Sequence, residues 1–159
     1  MDFRVGNGYD VHRLAEGLDL WICGIKIEHS KGCVAHSDGD TPIHALCDAM
    51  LGALALGDIG KHFPDTSDDF KGIDSTILLS SVNKLIKSHG YTINNADITI
   101  ALQRPKIGPY ITQMRQRLAE VLQTDIDRIS IKATTTEKLG FVGREEGIEA
   151  YATVLLVKE

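Results

Sequence analysis

The apolar positions of this chain fall into segments with different periods. From about Phe3 to Leu14 apolar and polar residues alternate, which predicts a strand. Leu20 to Ile27 predicts a second strand, hairpinned to the first through Glu16-Gly17, and Lys31 to Gly39 reads as a loop. A helix is predicted from Asp40-Thr41-Pro42, which combines a capping side chain with a proline at the first helical position. Its stripe of Ile43, Leu46, Cys47, Met50, Leu51 and Leu54 fits a 3.6-residue period. Gly57-Asp58-Ile59-Gly60 ends that helix and Lys61 to Gly72 is a polar loop. A second helix is expected from about Asp74 to Ser88, stopping at His89-Gly90. Tyr91 to Gln103 reads as a strand with Ala96, Ile98, Ile100 and Leu102 on one face. A third helix follows Gly108-Pro109, its core face formed by Ile111, Met114, Leu118, Val121 and Leu122. Arg128 to Thr136 and Gly147 to Val157 complete the strands, the last apolar on both faces. A doubly apolar strand calls for a helix layer on one side and a further cover, such as a neighbouring subunit, on the other.

The order ββααβαββ predicts an α+β fold: a two-layer mixed β-sheet with helices on one face, in a ferredoxin-like arrangement. The 159 residues suit a single catalytic domain spanning 1–159. No run of eighteen apolar residues predicts a membrane span, and no signal segment is evident at the N-terminus. Cys23, Cys33 and Cys47 are odd in number and form no C-x-x-C, which points to a reducing cytoplasmic setting. A net charge of -5 argues against a general nucleic-acid binder but leaves room for a local phosphate pocket.

Two stretches carry chemistry. Asp10 and His12, two apart on a strand, present an oxygen and a nitrogen ligand on one face. His44, on the following helix, supplies a third ligand, with Asp40 and Asp48 one turn away on either side as partners for its other ring nitrogen. Burying these acids and imidazoles beside one apolar helix is unfavourable without a cation. Two nitrogens and one oxygen suit Zn²⁺ with an open position, and equally non-haem Fe(II). The second stretch is Lys132-Ala133-Thr134-Thr135-Thr136-Glu137, where three hydroxyls leave a strand toward phosphate oxygens and Glu137 offers a hard ligand for Mg²⁺. Arg104-Pro105-Lys106-Ile107-Gly108-Pro109 lies between a strand and a helix whose N-terminus suits an anion or a base edge.

Gly8-Tyr9-Asp10-Val11-His12, Ala35-His36-Ser37-Asp38-Gly39-Asp40, Leu56 to Thr66 and Lys132 to Phe141, taken in order, resemble the 2-C-methyl-D-erythritol 2,4-cyclodiphosphate synthase family. The resemblance covers nearly the whole chain. It implies a homotrimer with active sites between subunits, and a reaction that closes 4-diphosphocytidyl-2-C-methyl-D-erythritol 2-phosphate into a cyclic diphosphate with release of CMP. It implies Zn²⁺ on Asp10, His12 and His44, and Mg²⁺ or Mn²⁺ held with the help of Glu137. It implies His36 and Thr135 as stabilisers of the transition state. Around Asp10, Val11, His12, His36 and Ser37, the positions Asp58, Ile59, Gly60, Phe63, Pro64, Asp65, Thr66 and Ser67 match the methylerythritol phosphate end of the pocket. Leu102, Gln103, Arg104, Pro105, Lys106, Ile107 and Gly108 match the cytidine pocket, with Thr134, Thr135, Thr136 and Glu137 along the diphosphate. Phe141 and Arg144 match further ligand contacts. Arg144 and Glu146 match a central channel that takes isoprenoid diphosphates in some members. Gly108, Ser67 and Cys47 depart from residues common at their positions. The alternative reading is a non-haem iron oxygenase built on the same Asp/His/His triad, and a further one is a non-catalytic trimer that binds isoprenoid diphosphates.

Overall fold

The computed structural model describes residues 1–159. Its strands are β1 (Phe3–Glu16), β2 (Leu20–Ile22), β3 (Ile25–Ile27), β4 (Lys31–Val34), β5 (Tyr91–Ala101), β6 (Ile129–Thr134) and β7 (Gly147–Lys158). Its helices are α1 (Thr41–Ala53), α2 (Ile59–His62), α3 (Ser75–Ser88), α4 (Ile111–Leu122) and α5 (Gly140–Gly143). The main sheet runs β4-β1-β7-β5-β6. β5 and β6 are parallel, joined by the α4 crossover, and the other pairs are antiparallel. The fold is mixed α+β with a mixed sheet, as expected.

Three expectations are corrected. The predicted Leu20–Ile27 strand is two short strands. Cys23 and Gly24 both have positive φ (51° and 76°), the geometry that closes a two-residue hairpin, so Ile22 folds back onto Ile25. This hairpin pairs with itself and not with β1. The partner of β1 on that side is Lys31–Val34, a segment read as loop because four residues with a glycine carry no usable period. The ferredoxin-like arrangement is also set aside. That motif repeats βαβ, whereas here β6 is followed by β7, which inserts between β1 and β5.

α1, α3 and α4 all lie on one face of the sheet. α1 is buried nearly all round because β1 and β7 lie beneath it and α3 beside it. β1 can approach so closely because it offers glycine there. A Cβ built on Gly6 would lie 1.8 Å from the Ala49 carbonyl oxygen, and one on Gly8 1.8 Å from that of Ala45. The N-terminus of α1 is fixed by Asp40. Its Oδ1 accepts from Cys23 N (2.9 Å) and Ile43 N (3.3 Å), and its Oδ2 from Gly24 N (2.7 Å). One buried carboxylate thus satisfies a helix N-terminus and a hairpin turn together. Burial and the neighbouring Asp38 push Asp40 up to about 6, against the pull of the Gly24 and Cys23 N–H groups.

The opposite face of the sheet is bare. Phe3, Val5, Tyr9, Val11 and Tyr151 are exposed there, Val5 at 68%. Tyr9 and Tyr151 pack with ring centroids 5.0 Å apart, and the Tyr9 hydroxyl donates to Glu149 Oε2 at 2.9 Å. Only the helix-facing residues of β7, such as Ile148, Ala150 and Val154, are fully covered.

Candidate metal centre and its pocket

Parity along β1 decides which side chains meet α1. Gly6 and Gly8 face the helix, so Asp10 and His12 do as well. At that level α1 presents His44. Asp10 Oδ2 lies 3.0 Å from His12 Nδ1 and 3.3 Å from His44 Nδ1, and one ligand atom from each residue lies within 4.8 Å of the others. Asp10 Oδ2 is buried yet makes no hydrogen bond of acceptable geometry. An unsatisfied carboxylate oxygen converging with two imidazoles is the arrangement a divalent cation completes. These residues therefore fit the expected metal.

The electrostatics agree. Burial alone would raise Asp10, but His12 and His44 outweigh it and hold its carboxyl below the usual range. Burial opposes charge on His44, yet Asp10, Asp40 and Asp38 raise it above the usual 6.5. A metal must displace that proton. Zinc affinity is therefore expected to rise with pH through the range above 6.5 in which His44 loses its proton. Calorimetric titrations in buffers of different ionisation enthalpy will show protons released on binding. A pH-independent affinity over that range would contradict the ligand assignment.

The partners of His44 are not those expected. Asp40 is spent on the α1 cap, and Asp48 Oδ1 accepts from Ile59 N at 2.8 Å. His44 Nε2 instead meets Ser75 Oγ at 3.0 Å and Ser37 Oγ at 3.2 Å. Residues four apart line up along a helix, but this ring reaches away from α1 to the start of α3.

The triad lies in a cleft of about 400 Å³, which also gathers His36, Ser37, Ile59, Gly60, Phe63 and Asp65. Val34, Ala35, Phe70, Ile73 and Leu78 complete its lining, and no chemical signal in the sequence marked them. Asp58 caps α2 through Lys61 N (3.0 Å), and Pro64, Thr66 and Ser67 lie in the adjoining loop outside the lining. That loop is tied back by His36 Nε2, which donates to the Ser67 carbonyl at 2.8 Å.

A separate cavity of about 250 Å³ gathers Leu102, Gln103, Pro105, Lys106, Ile107, Gly108, Thr134 and Thr135, with Arg104 outside its lining. Glu137 and Lys138 follow with φ of 54° and 63°, and Leu139 N closes the turn onto the Thr136 carbonyl at 2.9 Å. Two consecutive non-glycine residues in left-handed geometry are strained by ~1 kcal/mol each. The turn is braced by Glu137 N on Thr135 Oγ1 (3.2 Å) and Lys138 N on Gln103 Oε1 (3.2 Å). Glu137 is exposed and joins no cluster of potential metal ligands in this chain.

The metal cleft and this second cavity are not continuous within one chain. Across the sheet Asp10 pairs with Ala150, Ala150 with Ile100, and Ile100 with Ala133. Three inter-strand steps amount to ~14 Å. A third cavity of about 420 Å³ is lined by Val11, His12, Phe141 and Glu146 among others. Arg144 grips Glu146 beside it, with Nε to Oε1 at 3.0 Å and Nη2 to Oε2 at 3.3 Å.

A model of the YgbB family matches residues 3–157. A 2-C-methyl-D-erythritol 2,4-cyclodiphosphate synthase of Porphyromonas gingivalis is 59% identical over 155 residues, covering 98% of this chain and 96% of its own. One from Acinetobacter baumannii is 60% identical over 153 residues, covering 96% of each. A solved 2C-methyl-D-erythritol-2,4-cyclodiphosphate synthase with CDP bound superposes with a TM-score of 0.90 at 39% identity, covering 97% of this chain and 100% of its own.

Proposed function

The chain belongs to the YgbB family, and on that premise we propose that it converts 4-diphosphocytidyl-2-C-methyl-D-erythritol 2-phosphate to 2-C-methyl-D-erythritol 2,4-cyclodiphosphate with release of CMP. The observation that carries this reading is near-60% identity to enzymes of that name over almost the full chain, joined to an intact Asp10/His12/His44 cluster. No feature of the site favours the oxygenase alternative over it.

The reaction is an intramolecular phosphoryl transfer, formally a lyase step. An oxygen of the 2-phosphate bonds to the β-phosphorus, and the bond to the CMP oxygen breaks, CMP taking the electron pair. A phosphate monoester has its second pKa near ~6, so the nucleophile is already ionised at neutral pH and no strong base is required. The obstacle is repulsion: two unit charges 4 Å apart repel by about 4 kcal/mol at an effective dielectric near 20. In this reading Asp10, His12 and His44 hold Zn²⁺, and Glu137 with substrate phosphates holds Mg²⁺ or Mn²⁺. When bound, such cations neutralise phosphate oxygens and polarise the phosphorus. Asp58 to Gly60 and Phe63 to Ser67 keep the polyol folded, which supplies proximity. Leu102 to Gly108 hold cytidine, and Thr134 to Thr136 line the diphosphate. Thr135 and His36 stabilise the transition state. Because His36 Nε2 already donates to the Ser67 carbonyl, its contact with phosphate falls to Nδ1.

The working unit is a homotrimer with each active site shared between subunits. Two features support this. The bare apolar face of β1 and β7 calls for a protein cover. The metal cleft and the cytidine cavity, needed by one substrate, are separate within a single chain. Residues 1–159 act as one catalytic domain. Arg144 and Glu146 line the channel around the three-fold axis, open to an isoprenoid diphosphate. No helix is long and apolar enough to cross a membrane, and the three free cysteines suit the cytoplasm.

Incubation with substrate, Zn²⁺ and Mg²⁺, followed by phosphorus NMR, is expected to yield CMP and the cyclic diphosphate. Open-chain hydrolysis products alone would refute the cyclase. The same assay tests site sharing. His44→Ala and Glu137→Gln chains, each inactive alone, are expected to regain activity when unfolded and refolded together, because roughly one site in four then joins two intact halves. A mixture as inactive as its parents would place the whole site in one subunit.

A further inference from the structure

Behind His44 lies a chain of hydrogen bonds that the metal reading leaves unused. The loop 35–40 is stitched to the segment before α3: Gly72 N donates to the His36 carbonyl (2.7 Å) and Asp38 N to the Ile73 carbonyl (3.1 Å). Asp38 then turns its carboxylate onto the first residue of α3. Oδ2 accepts from Ser75 N at 2.9 Å, and Oδ1 accepts from Asp40 N at 3.0 Å and from the Ser75 hydroxyl. Both carboxylate oxygens are therefore acceptors, and the Ser75 hydroxyl hydrogen is committed to Asp38. Ser75 is fully buried, so its oxygen has no water to turn to. Its remaining capacity is a lone pair, and the group facing it at 3.0 Å is His44 Nε2. An oxygen that has given its hydrogen away can only accept, so His44 Nε2 must carry the hydrogen of that bond.

The other side of the ring makes this necessary. His44 Nδ1 lies 3.3 Å from Asp10 Oδ2, itself an acceptor. Left alone, the negative charge of Asp10 would favour the single hydrogen of a neutral imidazole on Nδ1, closing to a cation the one atom that faces Asp10 and His12. We propose that Asp38, acting through the Ser75 hydroxyl, is the positioning pair that keeps the hydrogen on His44 Nε2 and so presents the Nδ1 lone pair to the metal. Ser37 Oγ, 3.2 Å from Nε2 and accepting from Gly39 N at 3.2 Å, is a weaker second acceptor. Metal-ligating histidines are commonly oriented by a carboxylate or carbonyl in direct contact. Here a serine hydroxyl stands between, and it ties ligand geometry to the junction of the 61–74 segment with α3.

This inference rests on the metal reading above, and the test separates the two. The first measurement is the neutral tautomer of His44 in the metal-free protein, by long-range proton–nitrogen NMR at alkaline pH. It needs no substitution. Hydrogen on Nε2 is expected; a predominant Nδ1–H form overturns the proposal. The second is zinc affinity of Ser75→Ala, with its thermal melting as the control for folding. A 10- to 100-fold weaker affinity is expected, together with a growing Nδ1–H population. If Ser75→Ala folds and binds zinc as the parent does, the pair does not position His44. If the parent chain binds no zinc at all, the metal reading and this inference fall together.

Discussion

Replacing His44 with alanine is expected to abolish tight zinc binding and lower turnover by ~10³-fold while the chain stays folded. The separation of the two effects follows from where the residue sits. Its ring is one of three converging groups, and two ligands do not make a stable site for a divalent ion. Cation stabilisation of transferring phosphate is worth several kcal/mol; a loss of ~4 kcal/mol at 1.36 kcal/mol per decade gives that factor. The fold loses much less. The apolar face of α1, with Ile43, Leu46, Cys47, Met50 and Leu51 all fully buried, is untouched. The variant also removes the attraction of Asp10, Asp40 and Asp38 for the imidazole, which outweighs the cost of its burial, so this loss adds to the packing loss. A metal-free melting temperature within a few degrees of the parent, measured beside zinc titration and turnover, is the expected combination. Unfolding at ambient temperature would show that the metal centre is mainly structural. Full turnover would show that the chemistry lies elsewhere.

What could be read from the sequence follows its periodicities. α1, α3, α4, β5 and β7 are long enough for their patterns to be unambiguous, and they lie where expected to within two or three residues. The Asp10/His12 parity argument held because a strand has only two faces, and His44 followed because α1 was placed correctly. Failures have a common cause: they are set by contacts distant in sequence. β4 is a strand only because Gly32 and Cys33 lie against Ala15 and Leu14. Asp40 looked like a partner for His44 because it lies one turn away. The Cys23-Gly24 turn claimed it instead, and nothing near residue 40 announces that. Ser75 carries no local signal beyond standing at the start of a helix, while Asp38 was visible only as part of a motif. The left-handed turn at Glu137-Lys138 is invisible for the opposite reason, since local preference argues against it.

Gly8→Ala is expected to cost about 3 kcal/mol or more and to weaken zinc binding in whatever remains folded. Alanine normally favours folding over glycine by about 0.4–1 kcal/mol, because it restricts the unfolded chain. Here the new methyl would meet the Ala45 carbonyl oxygen at 1.8 Å and Ala49 N at 2.8 Å. Both are backbone atoms in the middle of a helix and cannot swing aside, so β1 and α1 must separate. Overpacking of this kind costs 1–3 kcal/mol in ordinary cores, and rigid backbone on the far side puts this case at or above the upper end of about 3. For a chain of this size each kcal/mol shifts melting by ~2–4 °C, so a drop of about 10 °C is expected. The same separation acts on the site. Asp10 stands two residues beyond Gly8 on β1, and His44 one residue before Ala45 on α1, so the strand–helix gap sets their 3.3 Å approach. Gly52→Ala on the same helix is the control. Its added methyl would find nothing nearer than Asn7 O at 4.0 Å, and the change is expected to stabilise by ~0.5–1 kcal/mol. If Gly8→Ala melts and binds zinc like the parent, close packing of β1 on α1 is not what brings the metal ligands together.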